Sequence, residues 1–342
     1  MAATNYSDAV RNGVQAAGRL QRDLKLRDQI QAEPSAVDIF AIIAQLDLPL
    51  LVRPLKGLLG AYVDVPSPGI LVTTERPLSI QRFTAAHELG HRLMGHRPSL
   101  DDEEQILRRG SLEELRIRDR RDGYQEAEAD AFASAMLMPK WLIQLHCGRQ
   151  AWRIDDLVRP EIVYQLSLRL GASYEATVRT LERYGMISGA NRIALLAVPR
   201  RKLKVTLLGD FRPETYKGNV WVLTERDDGG RLDGGSNDHI VVELQEKGSA
   251  GFLWDVRPLS DAGFTAISDI RSGVEGDAVG GPYLRRILIA ATETSTENVT
   301  LRQIRPWQPE AAIDAFSVRL DFSGPEAGGL SRAERRLRLG AA

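Results

Sequence analysis

Two histidines and a glutamate in the segment HELGH, His87, Glu88 and His91, have the residue types and spacing to hold and use a metal ion. Residues four apart on a helix project from one face about one turn apart, so the two imidazoles can grip a single zinc ion. Glu88, one residue round from His87, falls beside the coordination position left open, where a carboxylate can take a proton from water. Zinc lowers the pKa of bound water to about 7, which makes hydroxide available at neutral pH. The alternative is a pair of ordinary surface histidines on an amphipathic helix. Against it, two of the only five histidines in the chain stand at this spacing around a glutamate.

A catalytic zinc takes three protein ligands and keeps a fourth position open. His96 follows as H-x3-H-x4-H, one residue short of the metzincin spacing, and Met94 stands where that motif needs glycine, so His96 is not expected to be a ligand. Glu126 in EAEAD is the better third ligand. Asp130 lies one turn further on the same helical face and can accept a hydrogen bond from the far nitrogen of a ligand histidine, fixing its tautomer. Glu128 falls about 200° round the helix from Glu126, at roughly 100° per residue, and is expected to be a solvated surface carboxylate.

These residues need two helices to position them. SIQRFTAAHELGHRLMGH, starting at Ser79, reads as one, with Phe83, Leu89 and Leu93 expected to anchor it in a core. YQEAEADAFASAMLMP reads as the other and stops at Pro139, because proline cannot continue a helix past its first turn. Upstream, helical periodicity from Tyr6 to about Gln31 and from Ser35 to Asp47 predicts two amphipathic helices. LPLLVRPL, GAYVDV and GILVTT predict strands of a small sheet. The charged stretch from Asp101 to Gly123 reads as a solvated loop or exposed helix.

At 342 residues two or three compact units are expected, and 43% hydrophobic with 27% charged residues is ordinary globular composition. A net charge of −1 gives no whole-chain field to draw in nucleic acid or an anionic membrane. The single cysteine, Cys147, excludes an intrachain disulfide framework and reads as a packing residue in a reducing compartment. No apolar signal region opens the chain and no run of eighteen apolar residues occurs, so a soluble cytoplasmic protein is expected, with no membrane partner.

RFTAAHELGH followed by EAEADAFASAMLMP resembles the ImmA/IrrE family of metallopeptidases, whose pattern is RFT-x-AHE-x-GH and then E-x-x-A-[ND]-x-F-A-x-x-LLMP, over roughly residues 1–190. Asp130 stands where asparagine is common, and Met136 replaces a leucine. The resemblance implies a zincin-like α/β core with His87, His91 and Glu126 as zinc ligands and Glu88 as general base. It also implies, as substrate, a helix-turn-helix repressor whose cleavage derepresses stress-response or mobile-element genes. Within this span EIVYQLSLRLGASYEATVRTLERYGMIS predicts a helix-turn-helix-like pair, but without a basic recognition face, so direct DNA binding is not expected.

After Asn191 the texture changes to runs that read as strands, RIALLAV, KVTLL, VWVLTE, HIVVELQE, RRILIAAT, VTLRQI and FSVRLDF, the signature of a β-sandwich. KGSAGFLW, VGGPYLRR and RPW fall at breaks between these runs. In that order they resemble the three binding loops of chagasin-like cysteine-protease inhibitors, over about residues 237–322, although the first loop lacks that family's Asn, Pro and both Thr. Gly251, Trp254, Gly280, Gly281, Arg305 and Trp307 are the candidate partner-binding residues. Glycines let a loop tip approach a partner's backbone, and tryptophans give large contact area at low entropy cost. Tryptophans packed inside the sandwich are the alternative.

The expected architecture is multidomain α+β: a zincin-like metallopeptidase domain over 1–145, a helical domain over 146–190, a β-rich connection over 191–236 with the linker-like run Asp227 to Asp238, an immunoglobulin-like, chagasin-like sandwich over 237–322, and a flexible tail over 323–342. The leading function is a zinc endopeptidase acting on a specific protein. A non-catalytic zinc-containing sensor or binding protein, acting through its β domain, is the alternative.

Overall fold

A computed structural model describes residues 5–64, 67–96, 100–102, 124–273, 281, 283–291 and 296–340. The charged stretch after Asp102 and Gly280 lie outside the described residues. Helix α1, Tyr6–Asp23, starts at Asn5, whose side chain accepts from the Asp8 amide at 2.9 Å. Lys25 adopts a left-handed conformation, so the single helix expected to about Gln31 is two, with α2 at Leu26–Ala32; α3 follows at Ile39–Gln45. Strands β1, Leu50–Arg53, β2, Leu58–Val63, and β3, Gly69–Thr73, lead into helix α4, Leu78–Met94. Strand β4, Leu100–Asp102, and helix α5, Gln125–Leu137, complete the region.

The apolar faces of these elements share one core with Ile39, Ile43, Leu50, Val72, Leu89 and Phe132. Leu93 is 44% exposed and anchors nothing, unlike Leu89, which is fully buried, and Phe83, which packs against the core. Helices α4 and α5 approach closely because Gly90 has no side chain: a Cβ there would lie 3.0 Å from the Phe132 ring.

Helix α6, Lys140–Gln150, follows Pro139. The expected helix pair is present as α7, Pro160–Arg169, and α8, Tyr174–Arg183. RIALLAV and KVTLL are not strands but α9, Gly189–Leu196, and part of α10, Arg200–Leu208. Short apolar runs do not distinguish strand from helix by periodicity. What decides is the start signal, since Ser188 caps α9 by accepting from the Asn191 amide and Pro199 precedes α10.

The β region has two four-stranded sheets. One is ordered β5, Val220–Thr224, β7, His239–Glu246, β10, Tyr283–Ala291, and β9, Phe264–Gly273; the other β6, Gly230–Asp233, β12, Gln308–Asp321, β11, Thr296–Arg305, and β8, Leu253–Asp255. Side chains from both sheets, among them Trp221, Trp254, Ile289, Phe316 and Phe322, form one core. The run from Asp227 to Asp238, expected to be a flexible linker or a long hairpin loop, is ordered and contains a strand. Its middle is β6, paired in parallel with β12, and Asp238 accepts from the Trp221 indole at 3.0 Å.

The tail is not loose either. Strand β13, Gly329–Leu330, pairs antiparallel with β1, giving the first sheet the order β13-β1-β3-β2-β4. Helix α11, Arg332–Gly340, places Glu334, 6% exposed, where its carboxylate accepts from the Leu50 amide at 3.2 Å. A Gly-rich and Arg-rich composition suggests disorder only while no partner is in view. Here an exposed strand edge and a buried backbone donor supply one.

Polar contacts also join the two halves. On α4, Arg82 pairs with Asp233 at 2.5 Å, both side chains buried, and Gln81 exchanges hydrogen bonds with the Glu326 backbone. Arg231 links Asp233, at 2.9 Å, to Asp38, at 3.5 Å. On α7, Gln165 bonds both the carbonyl of Val220 and the amide of Val222, and Arg169 forks onto both Asp227 oxygens at 2.9 Å. That face of the helix pair is therefore covered by the sandwich.

Candidate metal centre

His87 and His91 lie side by side in the second half of α4, one helical turn apart, with His91 in the last turn, at 0% and 1% exposure. Their Nε2 atoms are 2.9 Å from each other. Glu126, in the first turn of α5, brings its two carboxylate oxygens to 3.4 Å from His87 Nε2 and 3.6 Å from His91 Nε2. One donor atom from each of the three residues falls within 4.8 Å of the other two. Two imidazole nitrogens and a carboxylate are a donor set that suits zinc. Glu126 is the most exposed of the three, with a quarter of its side chain open to solvent, so the group of ligands can be reached from its side.

The protonation pattern fits the same use. Asp130 Oδ1 lies 2.9 Å from His87 Nδ1 and accepts a hydrogen bond from its N–H, which leaves the lone pair of His87 on Nε2, facing Glu126. Burial, reinforced by neighbouring His87, pushes His91 down to about 3, so its imidazole is neutral and able to donate a lone pair. Glu88, fully buried, sits under β2: a Cβ on Gly60 would come within 3.1 Å of its Oε1, so glycine at that position leaves the carboxylate its room.

His96 is not in this group. It lies behind it, with Nδ1 2.9 Å from His91 Nδ1 and Nε2 2.8 Å from Glu128 Oε2. Glu128, expected on the solvated side, is 5% exposed and also accepts from Asn12 of α1 at 2.8 Å. Helical periodicity separates Glu126 from Glu128 on α5, but α1 and the end of α4 enclose the second face as well. The signal that could have found it is a third histidine just past HELGH together with a second glutamate two residues after the first.

Elsewhere, burial pushes the Cys147 thiol up to about 11, so it is un-ionised at neutral pH, as a packing residue would be. In the sandwich, Trp254 is 3% exposed and its indole donates to the Gln245 carbonyl at 2.8 Å. It is core and offers no surface to a partner, because strand β8 turns it inward. Trp307, at the tip of the β11–β12 turn, is 72% exposed. A Cβ on Gly251 would be 2.7 Å from the Trp307 ring, and the Arg305 guanidinium lies 4.3 Å from the Phe252 ring centroid. The first and third loops thus form one surface, and Gly281 of the second is half-buried.

Residues 46–182 match the IrrE N-terminal-like domain, a peptidase family, and residues 235–320 match the chagasin family of peptidase inhibitors. Amoebiasin-2 of Entamoeba histolytica is 27% identical over 90 residues, which are 26% of this chain and 73% of that protein. Among solved structures, the cysteine protease inhibitor EhICP2 from Entamoeba histolytica is 21% identical over 32% of this chain and 99% of its own, with a TM-score of 0.27. Amebosin is 19% identical over 31% of this chain and 98% of its own, with a TM-score of 0.26. Among the described residues no helix is long and apolar enough to cross a membrane.

Proposed function

For a chain that joins an IrrE N-terminal-like domain to a chagasin-family domain, we propose a zinc-dependent endopeptidase that cleaves a specific protein, in the cytoplasm, with the β domain helping to select it. The observation that supports this reading most is the meeting of His87, His91 and Glu126, with Glu88, fully buried, next to His87 in the chain. When bound, zinc supplies Lewis acidity toward a water and the scissile carbonyl. His87 and His91 orient the site through nitrogens held in the ligating tautomer, with Asp130 holding the first of them. Glu88 takes the proton from the attacking water and returns it to the leaving amine. Its fully buried position keeps the proton transfer away from bulk solvent.

The substrate we propose is a helix-turn-helix repressor, following the family resemblance, with derepression of stress-response or mobile-element genes as the outcome. Zinc-loaded protein incubated with such a repressor encoded beside it should give one discrete pair of fragments, and none after chelation. Random degradation, or no cleavage of any neighbouring regulator, would sink this substrate class. A non-catalytic zinc site would call for a fourth protein ligand; the cluster among the described residues holds three.

The joined loop surface around Trp307 supports recognition of a protein by the β domain. Trp307→Ala is expected to raise KM for the native substrate roughly tenfold or more and to leave kcat nearly unchanged, the pattern of an exposed aromatic anchor remote from the chemistry. Unchanged steady-state kinetics in that variant would remove the β domain from substrate selection. The match to peptidase inhibitors favours a second reading, a peptidase as partner of the same surface. Titration of a cysteine peptidase with this protein tests it, since a stoichiometric loss of peptidase activity is required.

A further inference from the structure

We infer that His96 and Glu128 are positioning residues: they form a hydrogen-bonded relay that fixes the tautomer and ring orientation of His91 for zinc. The inference rests on the zinc reading of the site. Three hydrogen bonds define the relay, from Asn12 to Glu128 at 2.8 Å, between His96 and Glu128 at 2.8 Å and between His96 and His91 at 2.9 Å.

Donor counting gives it a direction. A carboxylate accepts, so Glu128 accepts a hydrogen bond from the Asn12 amide on Oε1 and from His96 Nε2 on Oε2. A neutral His96 then has its lone pair on Nδ1, and the proton between the two rings belongs to His91 Nδ1. His91 Nε2 is left as a lone pair, on the side of His87 and Glu126. The reverse order would put a hydrogen on His91 Nε2, pointing at His87 Nε2 and closing the ligand position.

The local chain is shaped to make these contacts. Gly95 ends α4 in the left-handed conformation at φ 69°, and the following His96 amide returns to the His91 carbonyl at 3.0 Å. This turn lays the His96 ring against that of His91, centroids 4.9 Å apart and planes at 72°. It is also why the third histidine stands at x4 and behind the ligands. Glu128 is held in turn by the close approach of α1 to α5: a Cβ on Gly13 would lie 2.2 Å from the Glu128 carbonyl oxygen. Asp130 and His96 thus do for the two ligand histidines the same service from opposite sides.

The test is zinc affinity, measured by competition with a chromophoric chelator on the full chain, together with the visible spectrum of the cobalt-substituted protein. His96→Leu should bind one zinc roughly 10–100-fold more weakly, the usual effect of removing a group that orients a ligand. His96→Gln, whose amide can accept from His91 and donate to Glu128, should recover most of the affinity and the wild-type cobalt spectrum. Glu128→Gln, which keeps the side-chain volume, should weaken zinc binding in the wild-type background but not further in His96→Leu, because it acts only through His96. Unchanged affinity in His96→Leu, equal losses in His96→Leu and His96→Gln, or additive losses in the double variant would each overturn the relay. A wild-type protein that takes up no zinc would overturn the metal reading itself, a result distinguishable from all of these.

Discussion

Glu88→Gln is expected to retain one zinc per chain and to lose peptide hydrolysis by roughly 10²–10⁴-fold, the share that a well-placed general base contributes. Glutamine has the shape of glutamate, so the fully buried pocket beneath β2 need not repack. Its amide has no basic lone pair at neutral pH, so proton transfer from water is what disappears. His87, His91 and Glu126 do not include Glu88, and metal binding should therefore persist. Metal analysis and single-turnover cleavage of the same preparation check both halves. Activity within a few-fold of wild type would refute the assigned role, and loss of zinc would mean that Glu88 belongs to the ligand set.

Asp233→Ala is expected to destabilise the folded chain by about 3–5 kcal/mol, because it leaves Arg82 as a buried charge with its carboxylate removed. The side chains of Arg82 and Asp233 are only 5% and 8% exposed, so solvent does little to relieve the loss. The effect should be nearly independent of salt, unlike that of a surface pair. Arg82 lies five residues before His87 on α4, so the same change loosens the helix that carries the motif from the sandwich strand β6. Replacing both partners, Arg82→Met with Asp233→Leu, should recover part of the stability, since apolar side chains of similar volume can match a buried pair, while Arg231 keeps Asp38 but still loses Asp233. Denaturant unfolding of the metal-free protein measures this. A loss under about 1 kcal/mol in Asp233→Ala would show the pair to be solvated after all.

Both expectations bear on how the halves of the molecule depend on each other. The sandwich is not an appendage hung on a linker. Its strand β6 grips α4 through Asp233, its edge strand β5 is bonded along α7, and the chain beyond it returns as β13 to complete the first sheet.

Much of the site was legible from residue type and spacing. His87 and His91 meet because positions four apart on a helix must, and Glu126 and Asp130 share a face of α5 for the same reason. Those are local rules, and the two helices that obey them carry clear stop signals, Gly95 after α4 and Pro139 after α5. The strands β1, β2 and β3, bounded by Pro and Gly, were legible in the same way. What was misread depends on contacts between residues distant in sequence. Glu128 looked solvated on its own helix and is buried because α1, more than a hundred positions earlier, lies against it. Trp254 looked like a loop anchor and is core because β8 pairs with β11 with that side chain turned inward. The apolar runs of α9 and α10 were ambiguous between helix and strand because both are too short for period to show.

By itself, then, the sequence determined the chemistry on offer, two imidazoles and three carboxylates at helical spacing, and the order of helical and β-rich regions along the chain. The tertiary structure alone decided that Glu128 is buried, that His96 stands behind the ligand histidines, and that Gly329–Leu330 adds an edge strand to the first sheet. The physical reason is range. Helical geometry acts over a few residues and can be counted along the chain, whereas burial, tautomer and edge-strand pairing are set by whichever distant segment comes to cover them.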